Sequence, residues 1–305
     1  MTPRQLALIA IAFAALLLLW GAAALIRGRG TEGVAVLPKL TPAAVDTVVI
    51  ARPTDTTVLA RRDSSEWTIN GYRADGALVS TLLDALADST RRADVVAERT
   101  ASHEGLGVDS AAGSRVRIAG RGGVLADLVA GNRTPDLEGG YLRRSGDSTV
   151  YLLRGPLPGL LERGTDEWRD GRMAGVPADS VAAVEVTRGR RTYRLNRSES
   201  GWGFADRRSA DSAAVRNLLD AYRRLEAEGF ASRAQADSAR FEPADRRVRL
   251  LRTDGTPLLT LALDSTAAGT FWARVDTASV VYRLESWTAD RLAPEAGTLR
   301  ATASP

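Results

Sequence analysis

Asp75-Gly-Ala-Leu-Val-Ser-Thr-Leu-Leu-Asp84-Ala-Leu86 and Asp211-Ser-Ala-Ala-Val-Arg-Asn-Leu-Leu-Asp220-Ala-Tyr222 spell one helix twice. Asp211 stands 136 positions after Asp75, and Val215, Leu218, Leu219 and Asp220 keep that distance from Val79, Leu82, Leu83 and Asp84. In the first copy Leu78, Val79, Leu82, Leu83 and Leu86 recur at helical spacing on one face. Val215, Leu218, Leu219, Tyr222 and Leu225 do so in the second. Each copy opens with an aspartate able to accept bonds from the free N–H groups of a first helical turn.

The flanks of the two helices also correspond. Ahead of the first lie β-rich runs at Val45–Ile50 and Thr56–Ala60, a turn signal at Pro53-Thr-Asp55, and a strand at Glu66-Trp67-Thr-Ile69 that ends in Asn70-Gly71. Behind it come Arg115-Val-Arg-Ile118, Gly123–Val129, Gly140-Tyr-Leu-Arg143 and Thr149-Val-Tyr-Leu-Leu153, then a short helix from Pro158 to about Glu162. The second half answers with Val184-Glu-Val186, Leu195, Trp202, Arg247-Val-Arg-Leu250, Trp272-Ala-Arg274 and Val281-Tyr282, in the same order. The offset drifts only between elements, where loops tolerate insertion. The expected class is α+β: an N-terminal transmembrane helix, then two tandem copies of a mostly antiparallel sheet-plus-helix unit. The expected divisions are an anchor at 1–27, a juxtamembrane linker at 28–44, and repeats at 45–170 and 171–300. Such repeats are expected to pack about an approximate two-fold axis with a groove between them.

The anchor rests on Leu6 to Ile26, which holds no charged residue. At ~1.5 Å per residue such a helix spans about 30 Å, one hydrocarbon thickness. The competing reading is a signal peptide cleaved after Ala22-Ala-Ala24, although its apolar core would be shorter. Arg27, Arg29 and Lys39 outnumber Arg4 and the amino terminus. Charge counting therefore favours a cytoplasmic C-terminal side, but long domains cross regardless of local charge. Gly28-Arg-Gly30-Thr-Glu-Gly33 matches the dinucleotide spelling. It lacks the preceding strand and following helix that phosphate binding needs, so it reads as linker.

Among the 305 residues 44 % are hydrophobic, enough to build cores and exclude wholesale disorder. Lys39 is the only lysine, so the net charge of +4 is carried by arginine interleaved with Asp and Glu along the whole chain. That scatter, without a basic stripe, argues against nucleic acid as a partner. The absence of cysteine excludes disulfides, thiolate metal sites and cysteine nucleophiles.

From Glu66-Trp67-Thr-Ile69 through the first helix, Gly105-Leu-Gly-Val-Asp109, Arg115-Val-Arg-Ile118 and Gly140-Tyr-Leu-Arg143, the progression resembles the DUF4340 proteins, a bacterial family. The likeness is best from Trp67 to Leu153. Glu104 stands where the family has a tyrosine before Gly-Leu, and the family's proline after the Asp is missing; Phe241-Glu-Pro243 looks like a remnant of that turn in the second copy. The resemblance implies a membrane-anchored envelope protein encoded beside ABC-type transporters of the gliding-motility kind. It carries over no catalytic residue.

Little in the inventory points to chemistry. His103 is the only histidine, and with no G-x-S-x-G elbow nearby it reads as a solvated loop residue. No calcium loop or zinc helix is spelled, so neither metal nor cofactor is expected. Trp67 with Trp202, and Tyr141 with Trp272, recur at matched positions. They read either as strand-borne core residues or as a partner or ligand platform. The expected function is a non-catalytic, membrane-anchored accessory protein, held by residues 6–26 with its large domain outside the cytoplasm. It would bind ABC-transporter permease or accessory subunits. An extracytoplasmic ligand-binding module using the inter-repeat groove is the alternative, and an envelope hydrolase the third.

Overall fold

The computed structural model describes residues 34–88, 93–276 and 278–301. Its contacts divide the chain into two units that meet at Asp170 and Gly171.

Each unit is organised by one long helix. In the first, α1 (Gly76–Ala87) is capped by Asp75, whose carboxylate accepts the N–H of Ala77 at 2.9 Å and of Leu78 at 3.1 Å. The helix buries Val79, Leu82, Leu83, Ala85 and Leu86. Its other cap contact is long-range: the Asp75 N–H donates to the carbonyl of Trp168, at the end of the unit, at 2.8 Å.

The sheet under α1 has nine strands: β1 (Thr47–Ala51), β2 (Thr56–Arg61), β3 (Trp67–Ile69), β4 (Tyr72–Arg73), β5 (Ala93–Ala97), β6 (Ser114–Gly120), β7 (Gly123–Arg133), β8 (Gly139–Arg144) and β9 (Val150–Arg154). Their order is β4-β3-β2-β1-β6-β7-β8-β9-β5. Alternation puts Val48, Ile50, Leu59, Ile69, Val116, Ile118, Leu128 and Leu142 in the core with α1. The other face carries a small cluster of Val108, Val129 and Val150, beside the short α2 (His103–Leu106). A second short helix, α3 (Pro156–Glu162), adds Leu157, Leu160 and Leu161 to the main core.

The second unit repeats this plan. After a small ribbon of β10 (Arg172–Ala174) with β14 (Leu225–Glu226), its sheet contains β11 (Ala183–Arg188), β12 (Arg191–Ser198), β13 (Gly201–Phe204), β15 (Gly229–Phe230), β16 (Arg246–Leu251), β17 (Pro257–Ser265), β18 (Phe271–Val275) and β19 (Tyr282–Leu284). The order β13-β12-β11-β16-β17-β18-β19-β15 follows that of the first sheet strand for strand. Only β4 lacks a counterpart, and an isolated bridge between Gly203 and Ser209 stands in its place. The long helix α4 (Ser212–Arg223) buries Val215, Leu218, Leu219 and Tyr222. The fully buried Tyr222 hydroxyl donates to the Leu292 carbonyl at 2.7 Å. Asp211 caps α4 through the N–H groups of Ala213 and Ala214 at 2.8 and 3.0 Å, and donates its own N–H to Leu299 at 2.9 Å. The short helices here are α5 (Arg233–Ser238) and α6 (Ser286–Leu292).

Two expectations are corrected. Strands outweigh helix throughout, because the helical period recurs over a long stretch only once per unit and the remaining α-helices have seven residues or fewer. No helix among the described residues is long and apolar enough to cross a membrane, so the N-terminal transmembrane helix is withdrawn from the fold class; residues 6–26, on which it was read, lie outside the described residues. The fold is two mostly antiparallel sheets, each backed by one long helix. The second correction concerns the described part of the expected linker, 34–44. Val34 exchanges two backbone hydrogen bonds with Ala93, Val36 and Leu40 are buried, and Arg144 donates to the carbonyls of Ala35 and Val36. Its apolar side chains belong to the first core.

Removing either cap tests how far each helix depends on its aspartate. Asp75→Ala and Asp211→Ala should each cost about 1 kcal/mol in urea-denaturation measurements, and Asn at the same positions should recover most of it. An unchanged midpoint in both alanine variants would assign the helix starts to the long-range bonds to Trp168 and Leu299 alone.

Candidate functional site

The four aromatics form no shared platform within either unit. Trp67 is 6 % exposed in the first core, with the Arg61 guanidinium 4.7 Å from its ring centre. Tyr141 is half-buried on the opposite face of the same sheet, beside Val108, Val129 and Val150. Trp202 packs against the second core, whereas Trp272 joins Phe241, Ala262 and Val281 on the other face. Within each pair, matched positions carry matched surroundings, as the alternation of side chains along strands requires.

His103 is also placed differently from expectation. It is buried at the start of α2, with Nε2 2.8 Å from the Ser148 carbonyl. Leu106 of the same helix packs against Val108, Val129 and Val150, and His103 is only 8 % exposed. Among the described residues no three histidine, aspartate or glutamate side chains gather to hold a metal ion. Many carboxylates are engaged by arginine: Asp127 accepts from Arg115 and lies 3.4 Å from Arg117, Glu185 takes Arg194 and Arg249, and Asp290 takes Arg188 and Arg246. The Arg115 hydrogen bond holds Asp127 below the usual carboxylate range, against a smaller upward push from burial.

The most distinctive concavity lies in the second unit, where the β11–β12 hairpin meets the 3-10 turn Ala296–Leu299. The hairpin turns through Gly189, whose φ of +56° suits a residue without Cβ. It is lined by Arg188, Arg190, Arg191, Tyr193, Glu295 and Arg300, with a volume of about 670 Å³. A neighbouring hollow of about 430 Å³ shares Arg191, Tyr193, Ala296 and Arg300, and adds Glu185, Arg194, Asp206 and Arg208. Tyr193 forms part of the wall. Its ring tilts against Phe204 with centres 6.0 Å apart, and its hydroxyl donates to Pro294 at 2.7 Å. Burial raises its pKa far above that of a free tyrosine, with Arg188 opposing, so it remains a neutral phenol.

The six arginines of this composite cleft fall into two groups. Arg188 bonds to Asp290 and the Ala293 carbonyl, Arg194 to Glu185, and Arg208 to Asp206. Arg190, Arg191 and Arg300 are exposed and make no ion pair among the described residues. Arg300 lies more than a hundred positions after the Arg190-Arg191 doublet and joins it in the cleft because the 3-10 turn returns to the hairpin; the backbone bridge between Ala210 and Arg300 holds that return. Sequence reading missed them, although the Arg190-Arg191 doublet at a glycine turn was a visible signal.

The corresponding hollow of the first unit has the opposite character. It is lined by Asp55, Thr56, Asn70, Thr165, Asp166 and Glu167. Thr54 and Asp55 occupy the places of Arg190 and Arg191. Arg169, the counterpart of Arg300, has a side chain only 8 % exposed, stacked 3.9 Å from the Tyr72 ring centre and paired with Asp166. Arg208 takes the place of Tyr72 in the second unit, and the stacking partner is lost. Asp55 is pushed up by burial, but the Thr165 hydroxyl and the Arg52 guanidinium outweigh this and hold its carboxyl below the ordinary range.

No curated protein and no solved structure matches this chain. A family model, described as a domain of unknown function (DUF4340), matches residues 67–240, which is more than half of the 305 residues. With the helix from Asp75, the second helix from Asp211 and the strands of the first sheet from Trp67 onward inside the matched span, this chain belongs to the DUF4340 family.

Proposed function

We propose that the protein is a non-catalytic binding component of the bacterial envelope, working outside the cytoplasm beside a transporter of the ABC type. The observation that carries the reading is the cleft of the second unit, in which Arg190, Arg191 and Arg300 form no salt bridge among the described residues and only Glu295 in the lining and Asp206 beside Arg300 oppose their charge. An excess of guanidinium groups in a concave site attracts an anionic group. The surroundings offer such a group a grip without chemistry: the Tyr193 phenol is neutral and already bonded to Pro294, and Glu185 and Asp206 are held by arginines. Function must be argued from a site, and this site binds.

The test is capture of the full-length protein from its native membrane fraction. Permease and ATPase subunits should be recovered with the wild-type chain and lost when Arg190, Arg191 and Arg300 are all changed to Gln. Alkaline phosphatase fused after Pro305 should be active. A silent phosphatase fusion, or recovery of the transporter subunits undiminished by the triple change, would overturn the reading.

A further inference from the structure

We infer that the arginine cleft of the second unit binds a phosphoryl group: a phosphate monoester or inorganic phosphate, in preference to a carboxylate. The inference rests on the binding reading above and names the chemistry of the ligand.

Three observations lead there. The first is the internal comparison. The two units share strand order, helix and closing turn, yet the positions equivalent to Arg190 and Arg191 are Thr54 and Asp55. The architecture therefore forms without these guanidiniums. The counterpart of Arg300 is stacked and paired in the first unit but exposed in the second.

The second is the charge balance of the site. Arg190, Arg191 and Arg300 line one hollow with Glu295 as its only carboxylate. Arg188 also lines it, but is already engaged with Asp290 and the Ala293 carbonyl. Like charges held together raise the energy of the empty site, and a counter-anion relieves it.

The third is stoichiometry. The carboxylates of this chain that draw most arginines, Asp127, Glu185 and Asp290, each take two. A carboxylate offers two oxygens and one charge, which two guanidiniums saturate. Three guanidiniums outside any salt bridge among the described residues, against Glu295 and the more distant Asp206, call for more acceptors and more charge. A phosphate monoester supplies three terminal oxygens and a charge near −2 at neutral pH. The planar fork of arginine matches those oxygens in pairs. The volume of about 670 Å³ is in the range of small-ligand sites.

The experiment is isothermal calorimetry on the full-length chain with inorganic phosphate, glycerol 3-phosphate, acetate and succinate. It is paired with flotation on phosphatidylcholine vesicles with and without phosphatidic acid. One glycerol 3-phosphate per chain should bind, and inorganic phosphate should compete for the same site. Arg190→Gln, Arg191→Gln and Arg300→Gln should each weaken binding about tenfold, at an unchanged melting temperature, because each removes a charge-assisted pair at the surface. Arg191→Lys should recover only part, since lysine keeps the charge and loses the fork. Binding of glycerol 3-phosphate with no gain from phosphatidic acid assigns a free ester. A gain from phosphatidic acid that the Gln variants abolish assigns a lipid headgroup. Either result supports the inference.

Succinate binding as tightly as glycerol 3-phosphate, or phosphate affinity unmoved by all three Gln changes, would overturn it. If phosphate binds but transporter capture ignores the arginines, the docking reading falls and this one stands. If capture needs the arginines but no phosphate binds, only this inference falls.

Discussion

A chain carrying Leu219→Asp is expected to lose the fold of its second unit while the first retains hydrogen-exchange protection. Leu219 is 4 % exposed on α4, inside a cluster that includes Val184, Val186 and Leu250. Removing the leucine forfeits about 2–5 kcal/mol of burial and packing. The carboxylate that replaces it is placed in an apolar cluster, which costs several kcal/mol more or forces its protonation. Together these approach the ~5–15 kcal/mol that holds a typical domain. Exchange measured by mass spectrometry should show protection lost across 171–301 and kept across 34–170. Leu219→Met, which conserves volume, should cost less than about 1.5 kcal/mol. Equal protection of both units in the Asp variant would mean that α4 is not what holds the second core together.

The second large effect is expected at Arg52. Its side chain is 12 % exposed and reaches four acceptors: Asp55 at 3.1 Å, Thr57 at 3.0 Å, the Leu161 carbonyl at 3.3 Å and the Arg163 carbonyl. It ties the end of β1 to the last turn of α3, whose carbonyls lack helical partners. Arg52→Ala strands the Leu161 carbonyl and removes the guanidinium that offsets the burial of Asp55. Stranding a buried carbonyl costs about 1–3 kcal/mol, and the pair with Asp55, whose side chain is 37 % exposed, adds at most about 1 kcal/mol. Arg188 is the counterpart in the second unit, donating to Ala293 and pairing with Asp290. Asp290 is half-exposed and retains Arg246 at 2.7 Å, so Arg188→Ala should cost only about 1 kcal/mol. Chemical denaturation of both variants decides the ranking; a larger loss at Arg188 would reverse it.

What was legible in the sequence follows the range over which each signal acts. The two capped helices are visible because an aspartate and an apolar face repeat within a dozen residues. The strand pairs are visible because β-rich runs alternate with turn residues. The cleft is not, since Arg190, Arg191 and Arg300 are brought together by a bridge between Ala210 and Arg300 that no local pattern announces. Arginine is also a weak marker where it supplies every basic residue but Lys39. His103 misled for a similar reason: a polar loop spelling conceals that Leu106 and Val108 pack with Val129 and Val150 from distant strands. The stretch 34–44 misled because Pro38 and Pro42, after the glycines at 28, 30 and 33, drew attention from Val36 and Leu40, which belong to the first core.

The closing bonds of each unit bear on where the gene can be divided. Asp75 is held by Trp168, and Asp211 by Leu299, so each fold is sealed only by its last residues. The family match at 67–240 starts after β2 and stops before β16. A recombinant fragment trimmed to those limits would omit β1 and β2 from the interior of one sheet. It would also omit four adjoining strands, the Leu299 latch and Arg300 from the other. Of the described residues, the pieces that keep both latches run from 34 to 170 and from 171 to 301, and it is on those two cuts that expression trials should begin.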